Sequence, residues 1–204
     1  MRCLSRTVGL ACAAALALGI AGAAGAEDLS QPVLLVASSA LEGSAFEQTV
    51  VLAAPLPNGG HIGFILNRPT KVKLVALFPN DAAAQNVTEP VYLGGPALVS
   101  GVFALTRNAP PDGGMIVPLM PGLVAALDAK TVDRILATHP NDARYYAGLM
   151  LWNANELEQE VDRNAWEVRP ADADTVLSAR AHGMWNSLRG PMAELDLQHS
   201  ARPA

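Results

Sequence analysis

Beyond its first 26 residues the chain contains no cysteine, since Cys3 and Cys12 both lie in the opening segment. That excludes disulfides, thiol catalysis and Cys-ligated zinc from residues 27–204. Charge is sparse, at 16% of residues, and has no basic excess. A net charge of −5 and a pI near 5.3 argue against binding to nucleic acid backbones, so no nucleic acid partner is expected. The 17 Gly and 15 Pro follow no period, which excludes collagen-like and low-complexity chains. Strong catalytic signatures are missing as well. There is no Gly-x-Ser-x-Gly elbow, no Walker loop, no His-Glu-x-x-His and no Gly-x-Gly-x-x-Gly. The four His, at 61, 139, 182 and 199, form no pair with ligand spacing on one element, so neither a metal nor a cofactor is expected.

What is present begins with a leader. Arg2 and Arg6 form a basic start, residues 8–20 are apolar, and Ala24-Gly25-Ala26 offers the small-x-small pattern of a signal peptidase site ahead of Glu27-Asp28. The run is shorter and richer in Ala and Gly than the ~20 strongly apolar residues of a membrane span. Neither Cys occupies a lipoprotein position. Residues 1–26 are therefore read as a cleaved signal peptide, 27–189 as one domain and 190–204 as a loose tail. The expected location is periplasmic or secreted, in a bacterial envelope, with no membrane contact after cleavage. Arg2 and Arg6 are the only charges removed, so the net charge moves from −5 to −7. With half its residues apolar, a chain of this length can bury a sufficient core.

Along that domain, short apolar runs alternate with turn clusters. Strands are expected at 33–37, 49–53, 62–66, 91–93, 102–105, 115–117, 145–152, 166–168 and 175–177. Asn58-Gly59 predicts a hairpin between the second and third runs, with positive φ at both turn positions. Pro110-Pro111-Asp112-Gly113-Gly114 predicts another, joining 102–105 to 115–117. Helices are expected at 72–78, from an N-cap at Thr131 through 137, from a cap at Asn153 to about 163, and over 178–188. Frequent hairpins with few helices predict an α+β class with mostly antiparallel pairing.

Candidate chemistry is thin. Ser38, Ser39 and Ser44 read as turn and capping residues, because no base or orienting group is identifiable for them. Glu156, Glu158, Glu160 and Asp162 phase onto two faces of one helix and suit its positive N-terminus. Trp152 and Trp166 flank that helix as core anchors. Gly94-Gly95-Pro96 is a tight turn, with a phosphate loop as the competing reading.

Four blocks carry a family pattern. They are Leu35-Val36-Ala37 with 46–52, then Gly60-His61-Ile62-Gly63-Phe64-Ile65-Leu66-Asn67-Arg68-Pro69, then Tyr92-Leu93-Gly94-Gly95-Pro96, and finally 148–152 with Glu156-Leu157-Glu158 and Asn164-Ala165-Trp166. In order and spacing the chain resembles the AlgH/YqgE family from about Val33 to Leu188. The resemblance implies a single α+β domain, a mostly antiparallel, barrel-like sheet with flanking helices, and no assigned activity. It departs from the family at Asn155 and Glu156, where Gly-Gln is common, at Thr106, where a His is usual, and at Ser38-Ser39-Ala40, which lacks a Pro. A regulator label attached to some members has no DNA-binding motif behind it here.

The leading functional expectation is a non-enzymatic binding or accessory protein with an unknown protein or small-molecule partner in the envelope. A regulatory protein acting through protein partners, and a hydrolase-like enzyme with a site near Asn67, Arg68 and Glu156, are the alternatives. No catalytic residue is identified. Candidate ligand or partner contacts are Asn67, Arg68, Gly94, Gly95, Trp152 and Glu156. Arg68 is expected at a strand end beside an acid, because Pro69 disfavours helix there.

Overall fold

Three apolar runs are too continuous for strands with one wet face, and they form β1 (Val33–Ala37), β2 (Val50–Pro55) and β3 (His61–Ile65). In the computed structural model, which describes residues 28–111, 114–178 and 181–189, both faces of this antiparallel trio are covered. Even-numbered side chains (Leu34, Leu52, Phe64) enter one core and odd-numbered ones (Leu35, Val51, Ile65) another, as the two-residue period of a strand requires. The leader at 1–26 and the tail at 190–204 lie outside the described residues.

The sheet continues with β4 (Pro69–Lys73), β5 (Pro90–Leu93), β6 (Ala97–Thr106), β7 (Ile116–Met120), β8 (Leu123–Ala126), β9 (Ala143–Trp152) and β10 (Trp166–Pro170). Its order is β10-β1-β2-β3-β9-β6-β8-β7, with β5 pairing in parallel to β9 and β4 pairing to β5. The result is a curled, mostly antiparallel half-barrel with a few helices, a single α+β domain. Its concave face holds Leu34, Phe64, Phe103, Leu123 and Tyr146. Outside, α2 (Ala129–Thr138) lays Val132, Ile135 and Leu136 over Ala104, Ala126 and Tyr145. On the other outer face α3 (Glu156–Asp162) sets Leu157 among Leu35, Trp152 and Trp166. Short helices α1 (Leu74–Leu77), α4 (Ala173–Leu177) and α5 (Met184–Leu188) complete it.

Several expectations are corrected. The hairpin closing residue 115 onto 102–105 is absent. β7 pairs β8 across Pro121-Gly122, while β6 lies between β8 and β9. Residues 175–177 form the end of α4, because Asp172 caps a helix there. The helix expected over 178–188 is α5 alone, starting only at Met184. Strand β4 occupies the first residues of the helix expected at 72–78. The cap of α2 is Asp128, whose carboxylate accepts the Thr131 N–H at 3.1 Å. The β2–β3 hairpin forms as expected, but only Gly59 takes positive φ, at 80°. Residues 56–60 give the loop five positions rather than two, and one left-handed residue suffices to close it.

Candidate functional site

Asn67 and Arg68 do lie past a strand end, between β3 and β4. Asn67 Oδ1 accepts the Val50 N–H at 2.9 Å and its Nδ2 donates to the Gln48 carbonyl at 2.8 Å, so the side chain staples the entry of β2. Arg68 is exposed, and its guanidinium donates to the main-chain oxygen of Glu47 rather than to a carboxylate. The Glu47 carboxylate instead accepts the Gly43 N–H at 2.9 Å.

Gly94 and Gly95 sit where β3 and β9 part. Gly94 receives the Ile65 N–H and donates to the Ala147 carbonyl, both at 2.9 Å, so it bridges the two strands. A Cβ on Gly94 would lie 2.2 Å from the Gly148 oxygen, and one on Gly95 would lie 2.4 Å from Leu149 main chain. Backbone crosses backbone here, which explains the paired glycines without any anion. Leu93 donates to the Arg68 carbonyl at 2.9 Å, so Asn67, Arg68, Gly94 and Gly95 form one structural junction.

Trp152 and Glu156 belong to the opposite end. Trp152 pairs with His61 at the start of β3, and Asn67 lies six residues further along, roughly 20 Å away for an extended chain. The structure therefore does not bring Asn67 and Arg68 to Glu156. Trp152 is 5% exposed and packs in the outer core. The expected Asn153 side-chain cap is absent. The N-cap is Asn155, with φ of 63°, and its side chain makes no capping bond. Glu156 reaches back instead, accepting at 2.8 Å the N–H of Asn153, two residues before the cap. Sequence reasoning overlooked Glu160 as an anchor. Its Oε2 accepts the indole N–H of Trp152 at 3.1 Å and that of Trp166 at 2.7 Å. The signal was available: buried indoles need acceptors, and Glu160 is the helix residue that lies one turn past Glu156 on the same face.

Beside this block opens a groove of about 740 Å³, between the 28–30 segment, the β2–β3 hairpin and α3. Leu29, Pro55, Leu56 and Pro57 supply apolar wall, and His61 and Glu158 supply polar groups. His61 is 3% exposed, and its Nε2 lies 2.9 Å from the Leu29 carbonyl. A carbonyl only accepts, so Nε2 carries the proton, and in the neutral ring Nδ1 is left as a lone pair. That Nδ1 has no hydrogen-bond partner among the described residues, and neither has Glu158 Oε2. The remaining buried side-chain atoms in that condition are the Tyr146 hydroxyl and Arg189 Nε. Two of these four atoms belong to side chains, one from a strand and one from a helix, that line the same groove.

A second cleft, of about 390 Å³, is more polar but already satisfied. Its buried Arg144 donates to Glu89 at 3.1 Å, to the Val176 carbonyl at 3.0 Å and to the Ser178 carbonyl at 2.7 Å, and stacks 4.7 Å over Tyr92. Burial opposes its charge, yet Tyr146, Glu89 and Tyr92 together hold its pKa above the ordinary value. Asn108 is bonded to Asp142 at 3.1 Å, and Asn141 to the Asn86 carbonyl at 3.1 Å. Thr106, standing where the resemblance has a His, donates to the Asp142 carbonyl at 3.1 Å. Ser38 and Ser44 hydroxyls bond local or crossing carbonyls, as turn residues do. Among the described residues no trio of His, Asp or Glu gathers to hold a metal, and no helix is long and apolar enough to cross a membrane.

A family model described as AlgH-like matches residues 34–194. A UPF0301 protein of Chlorobium phaeobacteroides is 32% identical over 180 residues, covering 86% of this chain and 94% of its own. A relative in Parabacteroides distasonis is 30% identical over 161 residues, covering 76% of this chain and 79% of its own. The solution structure of the AlgH protein from Pseudomonas aeruginosa aligns with a TM-score of 0.64 at 22% identity, over 87% of this chain and 96% of that one. A crystal structure of a Corynebacterium diphtheriae protein aligns at 0.62, also at 22% identity, over 81% and 89%.

Proposed function

Because the chain belongs to the AlgH-like family, we propose that it is a binding protein that works through the groove beside His61 and Glu158, as an accessory protein of the bacterial envelope. One observation carries the binding part. His61 and Glu158, on separate elements, both line this partly apolar groove, and each has a buried polar atom without a hydrogen-bond partner among the described residues. An unpaired buried acceptor typically costs about 1–3 kcal/mol. A ligand that supplies donors recovers that cost, whereas the Arg144 cleft has its polar groups already spoken for. None of the six candidates read from the sequence is among the described residues that line the groove: Trp152 and Glu156 brace α3, and the other four build the junction at the far end of β3.

The test of binding is a fragment screen followed by amide chemical shifts. Hits should cluster on Gly59, Gly60, His61 and Glu158. Hits confined to the Arg144 cleft, or none on the groove, overturn the reading. The envelope assignment rests on the leader at 1–26. Fractionation with intact-mass measurement should find a periplasmic or secreted form beginning at Glu27, and a cytoplasmic form beginning at Met1, or one acylated at Cys12, overturns it.

A further inference from the structure

We infer that the groove takes an alkylammonium group, a protonated amine on an apolar stem; this rests on the groove being the binding site. The polar atoms left open are acceptors. His61 Nδ1 is a lone pair once Nε2–H is committed to the Leu29 carbonyl at 2.9 Å, and Glu158 Oε2 is a carboxylate oxygen. Asp28 adds a second acid to the lining, and among the described residues neither Lys nor Arg lines this groove. A ligand that satisfies this set must donate hydrogen bonds and carry positive charge. A carboxylate or phosphate would present acceptors to acceptors and meet like charge. An ammonium has three donors and no acceptor, which matches a carboxylate oxygen and an imidazole lone pair. The apolar wall of Leu29, Pro55, Leu56 and Pro57 matches a hydrocarbon stem rather than a sugar or a nucleotide.

Two sources share this chemistry: a free amine and a lysine side chain presented by another polypeptide. The acids already used elsewhere in the block sharpen the choice of Glu158. Glu156 holds the Asn153 N–H at 2.8 Å and Glu160 holds both indoles. Of the four acids of α3, Glu158 is the one that lines the groove and the one with a buried oxygen lacking a partner among the described residues.

The experiment titrates the protein, as isolated from expressing cells, with hexylammonium, hexanol and hexanoate, following amide shifts. Hexylammonium should saturate the signals of Gly60, His61 and Glu158 at a concentration about tenfold or more below hexanol, with hexanoate weakest, as a charge-assisted bond predicts. Glu158→Gln should collapse the ammonium-over-alcohol preference to about twofold or less, with an unchanged melting temperature as the check on folding. End-blocked Gly-Gly-Lys-Gly-Gly binding as well as hexylammonium, and losing binding on lysine acetylation, assigns the amine to a partner chain. Binding by hexylammonium without the peptide assigns it to a small amine. Hexanol or hexanoate filling the groove as well as the amine overturns the alkylammonium inference and leaves the groove standing. If fragments of no class reach these amides, the groove itself fails.

Discussion

Glu160 shows how one side chain can organise a block. Its Oε2 receives two indole N–H groups that would otherwise lie buried and unpaired. Removing the acceptor by Glu160→Ala should destabilise the fold by about 2–4 kcal/mol, because bonds to charged groups contribute roughly 1.5–3 kcal/mol each and the two share one oxygen. Trp152→Ala should cost more, about 3–5 kcal/mol, as expected for truncation of a buried aromatic. Asn153→Ala should stay within about 0.5 kcal/mol, since its exposed amide holds only a 3.2 Å contact to Glu156. Urea denaturation of the three variants checks the order. A Trp152→Ala variant as stable as the parent would contradict the core assignment. At the glycine junction, Gly95→Ala should prevent a native sheet, because a Cβ would stand 2.4 Å from the Leu149 backbone and neither chain can retreat. The loss of dispersed amide signals would report it.

Two elements begin with the same device. Asp128 accepts the Thr131 N–H at 3.1 Å and its hydroxyl at 2.5 Å, and Asp172 does the same with Thr175 at 2.8 and 2.6 Å. The Thr hydroxyl is the main cause of a lowered pKa at each, with main-chain N–H groups adding to it. A carboxyl whose folded pKa lies below its unfolded value of about 3.9 stabilises the fold above that value. The contribution fades as pH falls through the lowered folded pKa. Asp128→Ala and Asp172→Ala should each cost about 1 kcal/mol at pH 7. The double variant should also lose less stability than the parent between about pH 4 and 2, since the titrating groups are gone. Denaturation midpoints at stepped pH measure it, and parallel curves would refute the linkage. Asp128 also accepts the Met115 N–H at 2.6 Å, so this cap ties Met115 to α2 as well.

Across the molecule, Arg144 joins the sheet to the chain beyond α4. From β9 it reaches Glu89 and the carbonyls of Val176 and Ser178, with Tyr92 and the fully buried Tyr146 beside it. The Tyr146 hydroxyl has no hydrogen-bond partner among the described residues, and burial pushes its titration well up. Arg144→Ala should cost about 3–5 kcal/mol, the usual result of breaking a buried charged network. Arg144→Lys should rescue little, because one ammonium cannot span that fork of acceptors. Hydrogen exchange should then speed at α4 more than at α2, which none of these Arg144 bonds reaches.

The sequence alone determined the double-faced strands β1 to β3, the β2–β3 hairpin, β9, the end of α3 near residue 162 and the family, because apolar period, Asn-Gly chemistry and block order are local properties. It also supported turn roles for Ser38 and Ser44 and a core role for Trp152. Beyond that hairpin, only the tertiary structure decided which strands pair. The β7–β8 hairpin and the parallel β5–β9 contact join segments whose local patterns differ little from other runs. It likewise decided that Gly94 and Gly95 meet Gly148 and Leu149, more than fifty residues away, and that Glu160 rather than Asn153 anchors the Trp block. The groove was not legible in sequence at all. Its defining fact is that His61 and Glu158 each retain an atom without a partner among the described residues, which depends on where distant segments are brought in space.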